Sequence, residues 1–201
     1  MLEFLKEIDT QVFLFLNSLH HPVMDEVMYH ISQRFNWIPF YAFLTVLIFL
    51  KFKLRGLWAL LFIVLLIFLS DQTANILKDS TMRLRPSHNP VIADLVHIVR
   101  DRRGGQFGFV SGHAANSFAL AIFMIKILKS RHPWLIPVMI VWASLKAYSR
   151  IYLGVHYPGD VLGGIVLGVF WALVVFWLFD LTMKRLYPPE RPAVPAGSPI
   201  S

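Results

Sequence analysis

The sequence predicts an all-α protein: an integral-membrane helical bundle of about five to six transmembrane helices, with a short N-terminal helix at the interface. Three observations predict it. First, 56% of the 201 residues are apolar and only 15% are charged, against about a quarter charged in soluble domains. At a mean hydropathy of +0.58, a chain of this length holds more apolar surface than one soluble core can hide, so lipid must solvate some of it. Second, the apolar residues fall in runs, at 36–50, 57–77, 114–128, 134–148 and 161–183. Third, the positive residues behind the net charge of +7 sit in short clusters between those runs. That is how membrane proteins distribute charge, and it argues against nucleic acid as a partner.

Taken in order, residues 3–18 place Leu5, Ile8, Val12, Phe13 and Leu16 on one face, with Glu3, Lys6, Asp9 and Thr10 mostly off it. This predicts an amphipathic helix lying at the interface, with a short sixth span as the alternative. Glu3, Glu7 and Asp9, and the lack of a basic start, argue against a cleavable signal peptide. Several of the five runs approach the roughly 20 residues that cross about 30 Å of hydrocarbon, and the shorter ones borrow flanking residues. Residues 87–110 make a connection long enough to be a lid or binding loop. There Val91, Ile92, Leu95, Val96 and Val99 could rest on the bilayer, while Arg100, Arg102 and Arg103 reach anionic headgroups and Gly104-Gly105 acts as a hinge. A surface loop with a basic patch is the plainer alternative. After Tyr187 the Pro, Gly and Ser content predicts a disordered tail over 188–201, leaving 1–187 as a single membrane-embedded domain. The absence of cysteine excludes disulfides and thiolate metal sites.

Three polar clusters lie at the ends of the apolar runs. They are Lys78 with Arg85-Pro86, Ser111-Gly112-His113, and Ser149-Arg150 followed by His156 and Asp160. If the intervening spans all cross, parity puts every cluster on one side of the membrane, as a single site requires. The opposite side carries Lys51, Lys53, Arg55, Lys126, Lys129, Arg131, Lys184, Arg185 and Arg191. The cluster side carries fewer cations, Lys78, Arg83, Arg85, Arg100, Arg102, Arg103 and Arg150. Short basic loops favour the cytoplasm, so the clusters are expected to face outward.

Each cluster has a chemical and a plain reading. Lys78 and Arg85 offer a mobile point charge and a planar fork of donors to phosphate oxygens, or they are edge cations snorkelling to headgroups. Arg83 has no better claim than snorkelling. Gly112 lets backbone approach an anion at a helix start, and His113 there could give a proton to a leaving oxygen. Equally, Ser111 could be no more than a helix cap. Between His156 and Asp160 the turn residues Pro158-Gly159 break the chain, which lets the carboxylate fold back on the imidazole. A carboxylate on one ring nitrogen leaves the other free to attack; the plain reading is a structural pair capping the last helix.

Together the clusters resemble the signature of the type 2 phosphatidic acid phosphatase family of integral-membrane lipid phosphatases. The family pattern runs Lys, six residues, Arg-Pro; then Pro-Ser-Gly-His; then Ser-Arg, five residues, His, three residues, Asp. This chain matches it at Lys78, Arg85-Pro86, Ser111-Gly112-His113, Ser149-Arg150, His156 and Asp160, with Val110 where the family has proline. Proline supplies no functional group, so that departure touches loop rigidity rather than chemistry. The resemblance covers about residues 57–165. It implies that His156 is the nucleophile, forming a phosphohistidine, that Asp160 orients it, and that His113 protonates the departing lipid oxygen. It implies also that Lys78, Arg85, Arg150, Ser111 and the Gly112 amide hold the phosphate, with no metal and no cofactor.

The resemblance makes the partners membrane lipids and a lipid phosphate substrate, among phosphatidate, phosphatidylglycerol phosphate, undecaprenyl pyrophosphate and the phosphates of lipid A. Few spans and short loops suit a bacterial inner-membrane enzyme with its site on the periplasmic or extracytoplasmic face. Soluble haloperoxidases and acid phosphatases share the signature, but the apolar runs exclude a soluble relative. A membrane phosphotransferase would use the same residues. A transporter is the non-enzymatic rival, for which Asp71 and Lys146, the ionisable residues at mid-membrane, are the ones to watch.

Overall fold

A computed structural model describes residues 2–188. The tail, from residue 189 on, lies outside the described residues. The helices are α1 (Leu2–Ser18), α2 (Pro22–Ser32), α3 (Ile38–Phe52), α4 (Gly56–Thr81), α5 (Gly112–Leu128), α6 (Leu135–Tyr152) and α7 (Pro158–Leu186). No strand forms among the described residues beyond one isolated bridge, Leu84 with Phe107.

Each apolar run lies within a helix or nearly so, but the helices run past the hydropathy. α4 continues through Lys78, α5 begins at Gly112, α6 continues through Arg150 and α7 takes in Asp160. A hydropathy run stops at the first polar side chains, whereas the backbone ladder continues until a cap or a turn ends it. Two helical stretches, Phe35–Thr81 (α3 and α4 with the turn between them) and Pro158–Leu186, are long and apolar enough to cross a membrane. Gly112–Leu128 is a shorter apolar helix.

α5 is the central element, packing against α4, α6 and α7. Its small residues make this possible. Ala115 and Ala119 are fully buried, and a Cβ added at Gly168 of α7 would sit 2.2 Å from the Ala115 carbonyl oxygen. Only glycine permits two backbones this close, which is how small residues substitute for bulk apolar packing between helices. At the other side of the bundle, Phe179 meets Phe52, Phe62 and Phe123 edge to face. Many large apolar side chains point outward, among them Val64 (68% exposed), Val166 (70%) and Trp177 (59%). Outward apolar surface on this scale requires an apolar surrounding.

α1 is a helix as the periodicity predicts, but its predicted apolar face divides. Phe13 is fully buried, with Ala114, Ala147, Tyr157 and Val161, while Leu5, Ile8 and Val12 are exposed. α2 has no counterpart in the sequence reading. His21 caps it by accepting from Val23 N (3.2 Å), and Pro22 at its first position is preset for a helix. The long connection is docked on α2 rather than free. His97 Nε2 pairs with Asp25 (3.0 Å), Arg100 with Glu26 (2.5 Å), and the Arg100 and Arg102 guanidinium groups lie over the Tyr29 ring. Arg100, expected at headgroups, thus has a protein partner, and Val99 and Ile92 are buried, while Val91 and Leu95 remain exposed.

Candidate active site

The connection between α4 and α5 is pinched at its base. Arg85 N donates to Gln106 O (3.0 Å) and Gly108 N donates to Arg83 O (2.8 Å) on either side of the Leu84–Phe107 bridge. Arg85 Nε donates to Phe107 O (3.0 Å). The guanidinium is therefore held by one edge, with its terminal nitrogens available.

After α6 the chain turns at Gly154, whose φ of +75° suits glycine. A Cβ there would also lie 2.7 Å from His97 O. Val155 N and His156 N both donate to Arg150 O (3.1 and 3.2 Å), so the end of α6 sets where His156 stands. His156 is buried. Burial first, then the charges of Arg85, Arg150 and Lys78, push its imidazole well below the ordinary histidine range.

Asp160 serves two neighbours with one oxygen. Its Oδ2 accepts from Tyr157 N (3.0 Å), closing the cap of α7, and stands 3.5 Å from His156 Nδ1. That separation is too long for a strong hydrogen bond, and Nδ1 has no partner among the described residues. Asp160 thus caps the helix and faces the imidazole at once; the two sequence readings of the pair are not exclusive. Its Oδ1 accepts from Arg83 Nη1 (2.9 Å), and Arg83 Nη2 donates to Asp9 of α1 (2.7 Å). Asp9 Oδ1 in turn accepts from Gly159 N (2.7 Å). Arg83, read from sequence as an edge cation, is the link between α1 and the His156–Asp160 turn. Nothing local marks it, because Asp9 and Asp160 lie far from it in sequence.

The remaining predicted residues take different positions. Lys78, Arg85, Gly112, His113 and His156 line one cavity of about 790 Å³. A Cβ added at Gly112 would lie 3.5 Å from Lys78 Nζ, so that amine stands over the start of α5. Ser111 is buried behind the rim: its Oγ caps α5 at Ala114 N (3.5 Å) and its N donates to Asp160 O (2.9 Å). Arg150 is turned aside. Its Nη1 donates to Ser32 Oγ of α2 and its buried Nε has no partner among the described residues, although its charge acts on both His113 and His156. His97, bonded to Asp25 and stacked on His20, and His88, beside Ser87, belong to the connection.

Away from these groups the cavity continues between α3, α4 and α5 past Leu44, Ile48, Leu60, Val64 and Phe68. Asp71 and Lys146, flagged in the sequence for their depth, both line it. Fold and site together define an all-helical protein that gathers cations and two histidines at the mouth of an apolar groove. Residues 56–184 match the family model of the PAP2 superfamily, and the chain belongs to that superfamily.

Its relatives include phosphatases of lipids. The chain is 45% identical to the lipid A 4′-phosphatase of Bacteroides thetaiotaomicron over 92% of its own length and 81% of the relative's. It is 33% identical to the lipid A 4′-phosphatase of Porphyromonas gingivalis, over 98% and 83%. The crystal structure of the transmembrane PAP2-type phosphatidylglycerolphosphate phosphatase of Bacillus subtilis superposes with a TM-score of 0.68 at 26% identity, covering 90% of this chain and 88% of that one.

Proposed function

We propose that this protein removes phosphate from a membrane lipid phosphate or pyrophosphate through a phosphohistidine on His156. The observation that carries the reading is the single cavity that joins Lys78, Arg85, Gly112, His113 and His156 to an apolar groove. Cations and a helix start can hold the phosphate there while the groove takes the lipid's chains. In this reading His156 Nε2 attacks phosphorus, because Nδ1 is the nitrogen facing Asp160. The bond to the lipid oxygen breaks as His113 protonates that oxygen, and water then cleaves the phosphorus–nitrogen bond to release phosphate. Asp160 orients the ring, and Arg83 and Asp9 hold Asp160. Lys78, Arg85 and Arg150, with Ser111 and the Gly112 amide, stabilise the developing charge; Arg150 reaches it by leaving Ser32.

The candidates are lipid A phosphate, phosphatidylglycerol phosphate, undecaprenyl pyrophosphate and phosphatidate. Two relatives above 30% identity that match over most of both chains are lipid A 4′-phosphatases, and they favour the first. α3 to α7 cross the bilayer in this reading. α4 and α7 are about 39 and 44 Å long at 1.5 Å per residue, and the shorter α3, α5 and α6 are completed by flanking turns. The outward apolar side chains of α1, Leu5, Ile8 and Val12, lie in the interface. The site opens on the extracytoplasmic face of a bacterial inner membrane, and the substrate enters sideways between α3 and α4.

The test is phosphate release by purified protein in detergent from those four lipids. At least one should be hydrolysed, and excess EDTA should leave the rate unchanged, because fixed side chains supply the positive charge. Silencing by EDTA with rescue by magnesium would replace this mechanism with a metal-dependent one, and no release from any lipid would remove the assignment.

The pH profile follows from the environment of His156. The nucleophile must be neutral, and a lowered pKa keeps it neutral at pH values where an ordinary histidine is half charged. The acid limb of kcat/KM, which reports the free enzyme, should therefore fall below about pH 6.5. A limb at or above that value that disappears with Asp160 intact and His156 replaced by a rescuing nucleophile would contradict it.

A further inference from the structure

The cavity holds a second pair of cations that the proposed phosphoryl transfer does not use. Lys146, on α6, is only 4% exposed and lines the cavity. It is one helical turn from Arg150, about 6 Å deeper along the axis. Arg34, just before α3, lines the same cavity. Neither makes an ion pair or a side-chain hydrogen bond among the described residues. The rings of Trp37 and Trp142 stand 5.8 and 5.9 Å from Lys146 Nζ, at the outer limit of about 6 Å for a cation–π contact. The carboxylate in the cavity, Asp71, is engaged elsewhere, accepting from Asn116 Nδ2 (3.2 Å) and acting on Lys78. Lys146 is thus buried without a carboxylate partner, while Arg34 stands at the exposed rim of the same cavity, and an anion between them would supply the missing counter-charge.

Their position says which part of a substrate would bring that anion. Lys146 stands one turn deeper along α6 than Arg150 and shares the cavity with His113 and with the apolar side chains of the groove. The second pair is therefore assigned to the groove side of the site, where the leaving portion of the lipid lies in the proposed reaction.

We propose that Arg34 and Lys146 form a second anion subsite, which holds a second phosphate group carried by the leaving portion of the lipid. The inference rests on the phosphatase reading of the cavity. Two lipid chemistries present such a group: a diphosphate, whose leaving portion is itself a phosphate ester, and a monophosphate whose lipid body contains a nearby phosphodiester. A lipid with a single phosphate on a neutral body leaves the pair unpaired and is the poorer substrate.

The experiment uses two matched pairs of lipids with the full-length protein in detergent: a polyprenyl diphosphate against its monophosphate, and phosphatidylglycerol phosphate against phosphatidate with the same acyl chains. The doubly anionic member should have the larger kcat/KM, about tenfold or more, in at least one pair. The pair that shows it tells whether the second phosphate is adjacent or spaced. Lys146→Met, which keeps the buried stem, and Arg34→Gln should each erase the preference and leave the singly phosphorylated member within about twofold. Equal losses on both members would assign these residues a structural role and overturn the subsite, as would equal rates in both pairs. Binding of the same four lipids to the His156→Gln protein, read by tryptophan emission from Trp37 and Trp142, tests the subsite without turnover. If wild-type protein hydrolyses none of the four while this binding preference persists and is lost in Lys146→Met, the phosphatase reading fails and the subsite stands. If hydrolysis is present and neither assay shows a preference, the subsite fails alone.

Discussion

Replacing His156 by glutamine should leave a folded protein whose turnover of any lipid phosphate is reduced by at least about four orders of magnitude, the scale on which removing a covalent nucleophile acts. The side chain is buried in the turn between α6 and α7 and contributes no hydrogen bond from Nδ1, so its loss removes chemistry rather than structure. Glutamine keeps a polar group of similar reach and leaves no large cavity. Asp160→Asn should cost less than His156→Gln yet still orders of magnitude, since an amide at that position favours the wrong tautomer. It also weakens the pairing with Arg83 (2.9 Å), and the freed turn should lower thermal stability, which His156→Gln should not. The measurement is initial phosphate release, paired with acid-sensitive incorporation of labelled phosphate into protein quenched during turnover. Wild-type protein should carry label and His156→Gln none. Substantial turnover in a folded His156→Gln protein would end the assignment of the nucleophile.

The second large effect belongs to His113 and depends on the leaving group. A lipid alkoxide is a poor leaving group and needs its proton as the bond breaks, so His113→Ala should cost about 10³-fold on a lipid phosphate, within the range of general acid catalysis. An aryl phosphate departs without help, and the same variant should lose only about tenfold on it. The contrast separates proton donation from binding. His113 lines the cavity beside Gly112, Asn116 and Ser117, where it could equally hold a phosphate oxygen, and a binding role would cost both substrates alike. Equal losses would therefore move His113 from general acid to phosphate ligand.

Much of the bundle was legible because long apolar helices are read one at a time. The runs 57–77 and 161–183 became α4 and α7, and the period of residues 3–18 became α1, since each rests on local composition. α2 was missed because its apolar positions are interrupted by Asp25, Glu26 and His30, and its partners are in the long connection and in α6, far away in sequence. The motif residues were legible as well, but not their poses. Spacing alone could not say that Ser111 caps α5, or that Arg150 is held by Ser32 across 118 residues of sequence.

By itself the sequence determined that the chain is helical, apolar enough to require lipid, and furnished with three polar clusters at run ends in the order of a known signature. Those are properties of single segments, set by hydropathy, periodicity and the identity of neighbouring residues. Only the tertiary structure decided that Asp9, Arg83 and Asp160 form one chain of ion pairs, and that Arg34 and Lys146 share the cavity of His113 and His156. The reason is physical: a charge acts over a few ångströms of space, and folding brings within that distance residues that no local pattern relates.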